Sequence, residues 1–225
     1  NFKDYSIIND LNFVILKRDE STTENPSESF KFKLSNEILD YQIYKSILFQ
    51  NKLTIDNSYN DYYFNKDQSL NHQSFKSTAI ISSDLQFSKI GITYPKIKFI
   101  IPMQIENNNK SINEDSESIT FNYQNQFFDN RFFGSDLFDS SPRIVYGIEN
   151  YFNTKNTEIS FNINQSLDAH LNNNYANLIN QNSRLSDYSI ESKLKINEIL
   201  FKIDTRLDND TLSKKEMNYE LSYNK

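Results

Sequence analysis

Residues 188–207 read YSIESKLKINEILFKIDTRL, and the alternation in this stretch decides the fold. Tyr188, Ile190, Leu194 and Ile196 stand at even positions against Glu191, Lys193 and Lys195. After Asn197 and Glu198, the run Ile199, Phe201, Ile203 and Leu207 alternates with Lys202, Asp204 and Arg206. A period of two puts each set on its own face of a strand, whereas a helix needs apolar residues three and four apart. Two such runs separated by two residues predict a hairpin with one apolar and one charged face.

The same pattern extends in both directions. Met217, Tyr219, Leu221 and Tyr223 alternate with Glu216, Asn218, Glu220 and Ser222. Upstream, Ile159, Phe161 and Ile163 alternate with Ser160, Asn162 and Asn164, and Ile144, Tyr146, Ile148 and Phe152 with Val145, Gly147 and Glu149. Ile97, Phe99, Ile101, Met103 and Ile105 oppose Lys96, Lys98, Gln104 and Glu106, and Ile119, Phe121 and Tyr123 oppose Thr120, Asn122 and Gln124. Shorter runs near the start are Leu11–Phe13–Ile15, Phe30–Phe32–Leu34 and Tyr41–Ile43. Roughly ten strands are expected, all antiparallel in an all-β fold. Residues 167–179 are Asn-rich and poorly amphipathic, so a loop is expected there. In the last third the predicted connections alternate in length: short at 153–156, long at 167–187, very short at 197–198 and intermediate at 208–213.

Composition narrows the class. Only 37% of the residues are hydrophobic, which borders on a disordered chain, yet 18 Phe and 14 Tyr are present and the apolar residues are ordered in register. With three Gly and four Pro, the turns must use Asn, Asp and Ser. The net charge of −6, with Lys and Arg scattered, argues against nucleic acid as a partner. With no Cys, disulfides and thiolate metal sites are excluded within this stretch. No run approaches the 18 or so apolar residues of a membrane helix, so any membrane crossing would use strands. The chain starts at Asn1 and stops at Lys225 inside a strand pattern, so it is expected to be an internal piece of a longer protein.

Two media fit the apolar face. In a bilayer, strands can span only when closed into a barrel, with Lys193, Lys195, Lys202, Asp204 and Arg206 pointing into a polar lumen. In water, the apolar face would instead be covered by a second layer and the charges exposed. Alternation alone leaves both open.

A segment that alternation does not explain lies between the strands: Asn113-Glu114-Asp115-Ser116, then Arg131-Phe132-Phe133-Gly134-Ser135-Asp136, then Arg143 leading into Tyr146-Gly147. Together with Ile101-Pro102-Met103-Gln104 before it and Asp204-Thr205-Arg206-Leu207-Asp208 after it, this order resembles the barrel region of the LptD (OstA/Imp) family of lipopolysaccharide-assembly proteins. The resemblance covers residues 99–223; residues 1–95 are assigned to the same barrel by position. It implies that residues 1–225 form part of one antiparallel transmembrane β-barrel domain in the outer membrane of a Gram-negative bacterium. It further implies that the parent protein inserts lipopolysaccharide into the outer leaflet through a barrel translocon. The implied partners are lipopolysaccharide, an LptE-type plug lipoprotein, periplasmic bridge proteins reached through a missing N-terminal domain, and membrane lipid. The alternatives are another outer-membrane barrel, of porin or autotransporter type, and a soluble β-sandwich binding module.

The residues offer no enzyme. His72 and His170 lie in polar segments without ligands at metal spacing, and Ser166, Asp168 and His170 would share one loop with no orienting scaffold. No catalytic, metal or cofactor site is expected. Lys96, Lys98, Glu191, Lys193, Lys195, Lys202, Asp204 and Arg206 are candidates for lipopolysaccharide or plug contact from the lumen wall. Asp129, Asp136 and Asp139 with Arg131 and Arg143 are expected to form a loop that fixes its own fold rather than a site for a cation or phosphate. Gly134 is expected to serve a tight turn and Gly147 a close strand contact.

Overall fold

The alternation is realised as strands in a computed structural model that describes residues 2–18, 26–44, 47–87, 93–106, 117–118, 122–134, 137–170 and 183–223. Ten strands form one sheet: β1 (Phe2–Lys17), β2 (Glu28–Tyr44), β3 (Ile47–Tyr63), β4 (His72–Phe87), β5 (Thr93–Glu106), β8 (Arg143–Asn153), β9 (Thr157–Asp168), β10 (Tyr188–Ile196), β11 (Ile199–Leu207) and β12 (Lys214–Tyr223). Each pairs antiparallel with its sequence neighbour, and β5 pairs with β8 across a two-stranded ribbon of β6 (Glu117–Ser118) and β7 (Phe132–Phe133). Among the described residues no helix is long and apolar enough to cross a membrane. In this up-and-down order, connections fall alternately at the two ends of the sheet. At one end they span residues 45–46, 88–92, 154–156 and 197–198; at the other, 18–27, 64–71, 107–142, 169–187 and 208–213. The alternation in length therefore holds along the whole sheet.

The two faces are the reverse of those in a water-soluble sheet. Ile101, Phe161, Phe201 and Tyr219 share one face with the other alternating apolar residues of their strands, and all are exposed. On the opposite face Ser74, Asn164, Ser189 and Glu191 are buried. Covering an Ile, Leu or Phe side chain is worth about 1.5–3 kcal/mol, and soluble monomers rarely expose an apolar patch beyond roughly 300–600 Å². This apolar face runs across all ten strands.

Several elements differ from the sequence-based expectation. The runs Phe30–Phe32–Leu34 and Tyr41–Ile43 belong to the single strand β2, but on opposite faces, since an even-numbered set gives way to an odd-numbered one within one continuous register. The strands β3 and β4 carry Asn51 and Asn57, and Ser77 and Ser83, on the apolar face, which dilutes their alternation. The loop expected from Leu167 starts only after Asp168, because β9 continues to that residue; 171–182 lie outside the described residues. Tyr123 is not in a strand: it sits in a turn before the 3-10 turn Asn125–Phe127, while 119–121 lie outside the described residues. So do Asn113–Ser116 and Asp136.

Candidate functional site

In the long connection between β5 and β8, residues 122–134 and 137–142 lie over the polar face of the sheet, and short-range hydrogen bonds shape them. The Asn122 side-chain oxygen accepts from the Gln124 and Asn125 amides, and the Asn125 side-chain oxygen accepts from the Asn122 amide at 2.8 Å, which starts the 3-10 turn. Such side-chain bonds to nearby backbone are the usual substitute for glycine in turns. Asn130 accepts from the Asp139 amide at 3.0 Å and donates to the Leu137 carbonyl, drawing the two arms of the insert together around Gly134, whose φ of 85° lies in the left-handed region.

Apolar contact then seats the insert. Ile80, Ile100 and Val145 come from the polar face of β4, β5 and β8, and they pack against Tyr123, Phe127 and Phe138. Polar bonds ring this cluster. The Tyr123 hydroxyl donates to Glu149 Oε1 at 2.7 Å, Asn164 Nδ2 donates to the Tyr123 carbonyl, and Gln126 Nε2 reaches Ser189 Oγ at 3.0 Å. Burial, reinforced by the hydrogen bond to Glu149, pushes the Tyr123 phenol well above its ordinary range.

Four buried charges lock the far arm of the insert to the sheet. Arg131 donates to both oxygens of Asp139 and, through one terminal nitrogen, to Asp168 Oδ2 at 3.0 Å. Arg143 donates to Asp139 Oδ2 at 2.6 Å and to the carbonyls of Phe128 and Asp129. None of the four is more than 3% exposed, so neither carboxylate is open to an added ligand. Burial pushes the Asp139 carboxyl up, but Arg143 and Arg131 outweigh it and hold the group below the usual carboxylate range. Asp129 belongs to a separate pair of contacts, Lys98 at 2.8 Å and Lys52 at 3.2 Å; against the opposing effect of burial, Lys98 and then Lys52 hold its carboxyl low.

The residues singled out from the sequence divide into two groups. Lys98 donates to the Phe127 carbonyl as well as pairing with Asp129, and the Lys96 ammonium lies 4.6 Å from the centre of the Phe127 ring, so both are held by the chain's own insert. Glu191, Lys193, Lys195, Lys202, Asp204 and Arg206 instead form a cross-strand ladder on β10–β12 and their neighbours. Glu191 pairs with Lys193 at 2.9 Å and Lys202 at 3.3 Å, Lys202 with Asp204 at 2.8 Å, and Lys195 with Glu158 at 3.9 Å. Arg206 lies 3.6 Å from both Asp187 and Glu216. At Gly147 a Cβ would stand 2.6 Å from the Ile163 carbonyl oxygen, so the close approach of β8 and β9 requires glycine.

The histidines serve local structure. His72 Nδ1 lies 2.8 Å from the Leu70 carbonyl and its ring packs with Tyr62 and Phe64, while His170 offers its backbone carbonyl to Ser141 Oγ. Among the described residues no group of three His, Cys, Asp or Glu could hold a metal ion. Sequence reasoning missed Asp168, Lys52, Tyr123 and Gln126 as anchors of the insert. The one signal that could have found their platform is the apolar set Ile80, Ile100 and Val145, which falls in the phase otherwise occupied by Thr78, Ser82, Lys98 and Arg143.

Comparison with protein families gives a match over residues 58–225 to a model described as LptD: LPS transport system D. No curated protein matches the chain.

Proposed function

Since the chain belongs to the LptD family of lipopolysaccharide transport proteins, we propose that it is part of the outer-membrane barrel through which lipopolysaccharide enters the outer leaflet. The observation that carries this reading is the inverted sheet: its apolar side chains are exposed, while many side chains of its polar face are buried, with Tyr123, Phe127 and Phe138 of the β5–β8 connection packed on that face. Hydrocarbon satisfies the first face and a hydrated lumen the second. Residues 1–225 then form consecutive strands of one larger barrel domain. Short connections face the periplasm and long ones the exterior, the arrangement of outer-membrane barrels.

The work is transport without bond chemistry. The saccharide, rich in hydroxyl and phosphate groups, passes a polar wall while the acyl chains stay in apolar surroundings, and the periplasmic bridge supplies the drive. With Lys96 and Lys98 engaged by the insert, the ladder of Lys193, Lys202 and Arg206 is the stretch of wall that we assign to contact with the saccharide or with an LptE-type plug protein. Depletion of the full-length protein should remove lipopolysaccharide from the cell surface and leave it at the inner membrane. Re-expression with Lys193, Lys202 and Arg206 all changed to Gln should restore the barrel but not surface lipopolysaccharide. Unchanged surface lipopolysaccharide on depletion would refute the transport reading, and full restoration by the triple variant would refute the ladder as a contact strip.

A further inference from the structure

On the apolar face the ladder between β5 and β8 stops before β5 does. It ends where Ile100 faces Arg143, while the other edge of β5 stays paired with β4 as far as Glu106 opposite Lys76. This divergence lies at the end of the sheet that carries the long connections. It accompanies a hollow of about 260 Å³ walled by Phe99, Ile101, Ile144 and Leu167, with Arg184 also in its lining. Arg184 is exposed and donates through Nε to the Asp168 carbonyl at 2.8 Å. That bond fixes the guanidinium plane, and its two terminal nitrogens hold no partner among the described residues.

A second apolar hollow, of about 390 Å³, lies on the same face between Pro95, Ile97, Tyr146, Ile148 and Ile163. Lys96, the cation in its lining among the described residues, turns its ammonium to the polar face, where Phe127, Asp84 and Glu149 receive it. Among the described residues the two hollows thus differ in one chemical respect: the lining of the first, and not that of the second, holds an exposed cation able to meet an anion at the membrane surface.

We propose that the hollow between β5 and β8 is a lipid site that takes an acyl chain of a lipopolysaccharide molecule in the surrounding leaflet, with Arg184 on its phosphate. The inference rests on the membrane orientation given above, which places this end of the sheet in the outer leaflet. An acyl chain suits the wall of Phe, Ile and Leu. A guanidinium held at one nitrogen presents its remaining donors as a fork, the geometry that phosphate oxygens accept best. The site lies on the outside of the barrel, so it holds lipopolysaccharide against the wall after release from the lumen.

Photocrosslinking in intact cells tests it. The photoreactive residue p-benzoylphenylalanine is placed at Ile101, or at Ile148 in the second hollow, of the full-length protein, and adducts are identified by mass and by antibody to lipopolysaccharide. At Ile101 a lipopolysaccharide adduct is expected, falling about tenfold with Arg184→Gln, the factor that corresponds to 1.4 kcal/mol, and falling less with Arg184→Lys, which keeps the charge but not the fork. Adducts at Ile148 should not respond to Arg184→Gln. Phospholipid in place of lipopolysaccharide at Ile101, a lipopolysaccharide adduct indifferent to Arg184→Gln, or no lipid adduct at Ile101 would each overturn the proposal. The depletion experiment above decides the transport reading separately, because surface lipopolysaccharide is scored there without reference to this hollow.

Discussion

Asp139→Asn is expected to release the 122–142 insert from the sheet and to destabilise the protein by about 3–5 kcal/mol, the range for removing one partner of a buried ion pair. Asp139 is the shared acceptor of Arg131 and Arg143, so its neutralisation leaves two enclosed guanidiniums without the carboxylate they share. Limited proteolysis of the folded full-length protein should show cleavage within the insert of the variant and protection in the parent. The same contact gives a pH dependence of known sign. A carboxyl held below its unfolded value contributes in full above about pH 4, and that contribution is lost as the pH falls through the lowered value. Protection of the insert should therefore fail in acid in the parent, while the Asn variant should already be open at neutral pH. Equal protection of both proteins at pH 7 would show that the four charges do not anchor the insert.

Arg in place of Ile203 should impair assembly, because a lysine or arginine on the lipid face near the midplane costs about 2–4 kcal/mol. Ile203 sits within β11 opposite Tyr219 of β12 and Ser192 of β10, on the apolar face. Its neighbour Lys202 points the other way, between Glu191 and Asp204. Lys202→Gln should cost about 1 kcal/mol or less, since Glu191 keeps Lys193 and the Asn162 amide. Heat-modifiability on gels separates folded barrel from unassembled chain. Loss of the folded band in Ile203→Arg but not in Lys202→Gln is the expected result, and equal behaviour would contradict the assignment of faces.

The strands from Arg143 onward were legible because each is about as long as one apolar run, so a single phase of alternation names the strand and its face. β2 shows where that logic fails. Seventeen residues exceed the 9–11 that a tilted strand needs to cross hydrocarbon. Beyond that length the medium no longer dictates facing, and Tyr41 and Ile43 can fall on the face opposite Phe30 and Phe32. Asn51 and Asn57 on β3 hid that strand in the same way.

The insert was legible only as a motif. Arg131 and Arg143 stand out by resemblance, but Asp168, the second carboxylate on Arg131, lies on β9 at the edge of what reads as an Asn-rich loop, and nothing local ties it to Arg131. Val145 and Ile100 looked like noise in a polar phase; their meaning depends on Tyr123 and Phe127 arriving from elsewhere in the chain. A side chain whose neighbour is distant in sequence carries no periodic signal.

The proposed function requires hydrocarbon over the apolar face and water over the opposite one. Single nitroxide labels at positions 199 to 204 of the full-length protein, reconstituted in bilayers, distinguish the two media by collision with oxygen, which concentrates in lipid, and with a water-soluble nickel chelate. A period of two is expected: labels at Ile199, Phe201 and Ile203 relaxed by oxygen, and labels at Leu200, Lys202 and Asp204 less so. Nickel accessibility as high at Phe201 and Ile203 as at Lys202, or oxygen accessibility in the opposite phase, would contradict it.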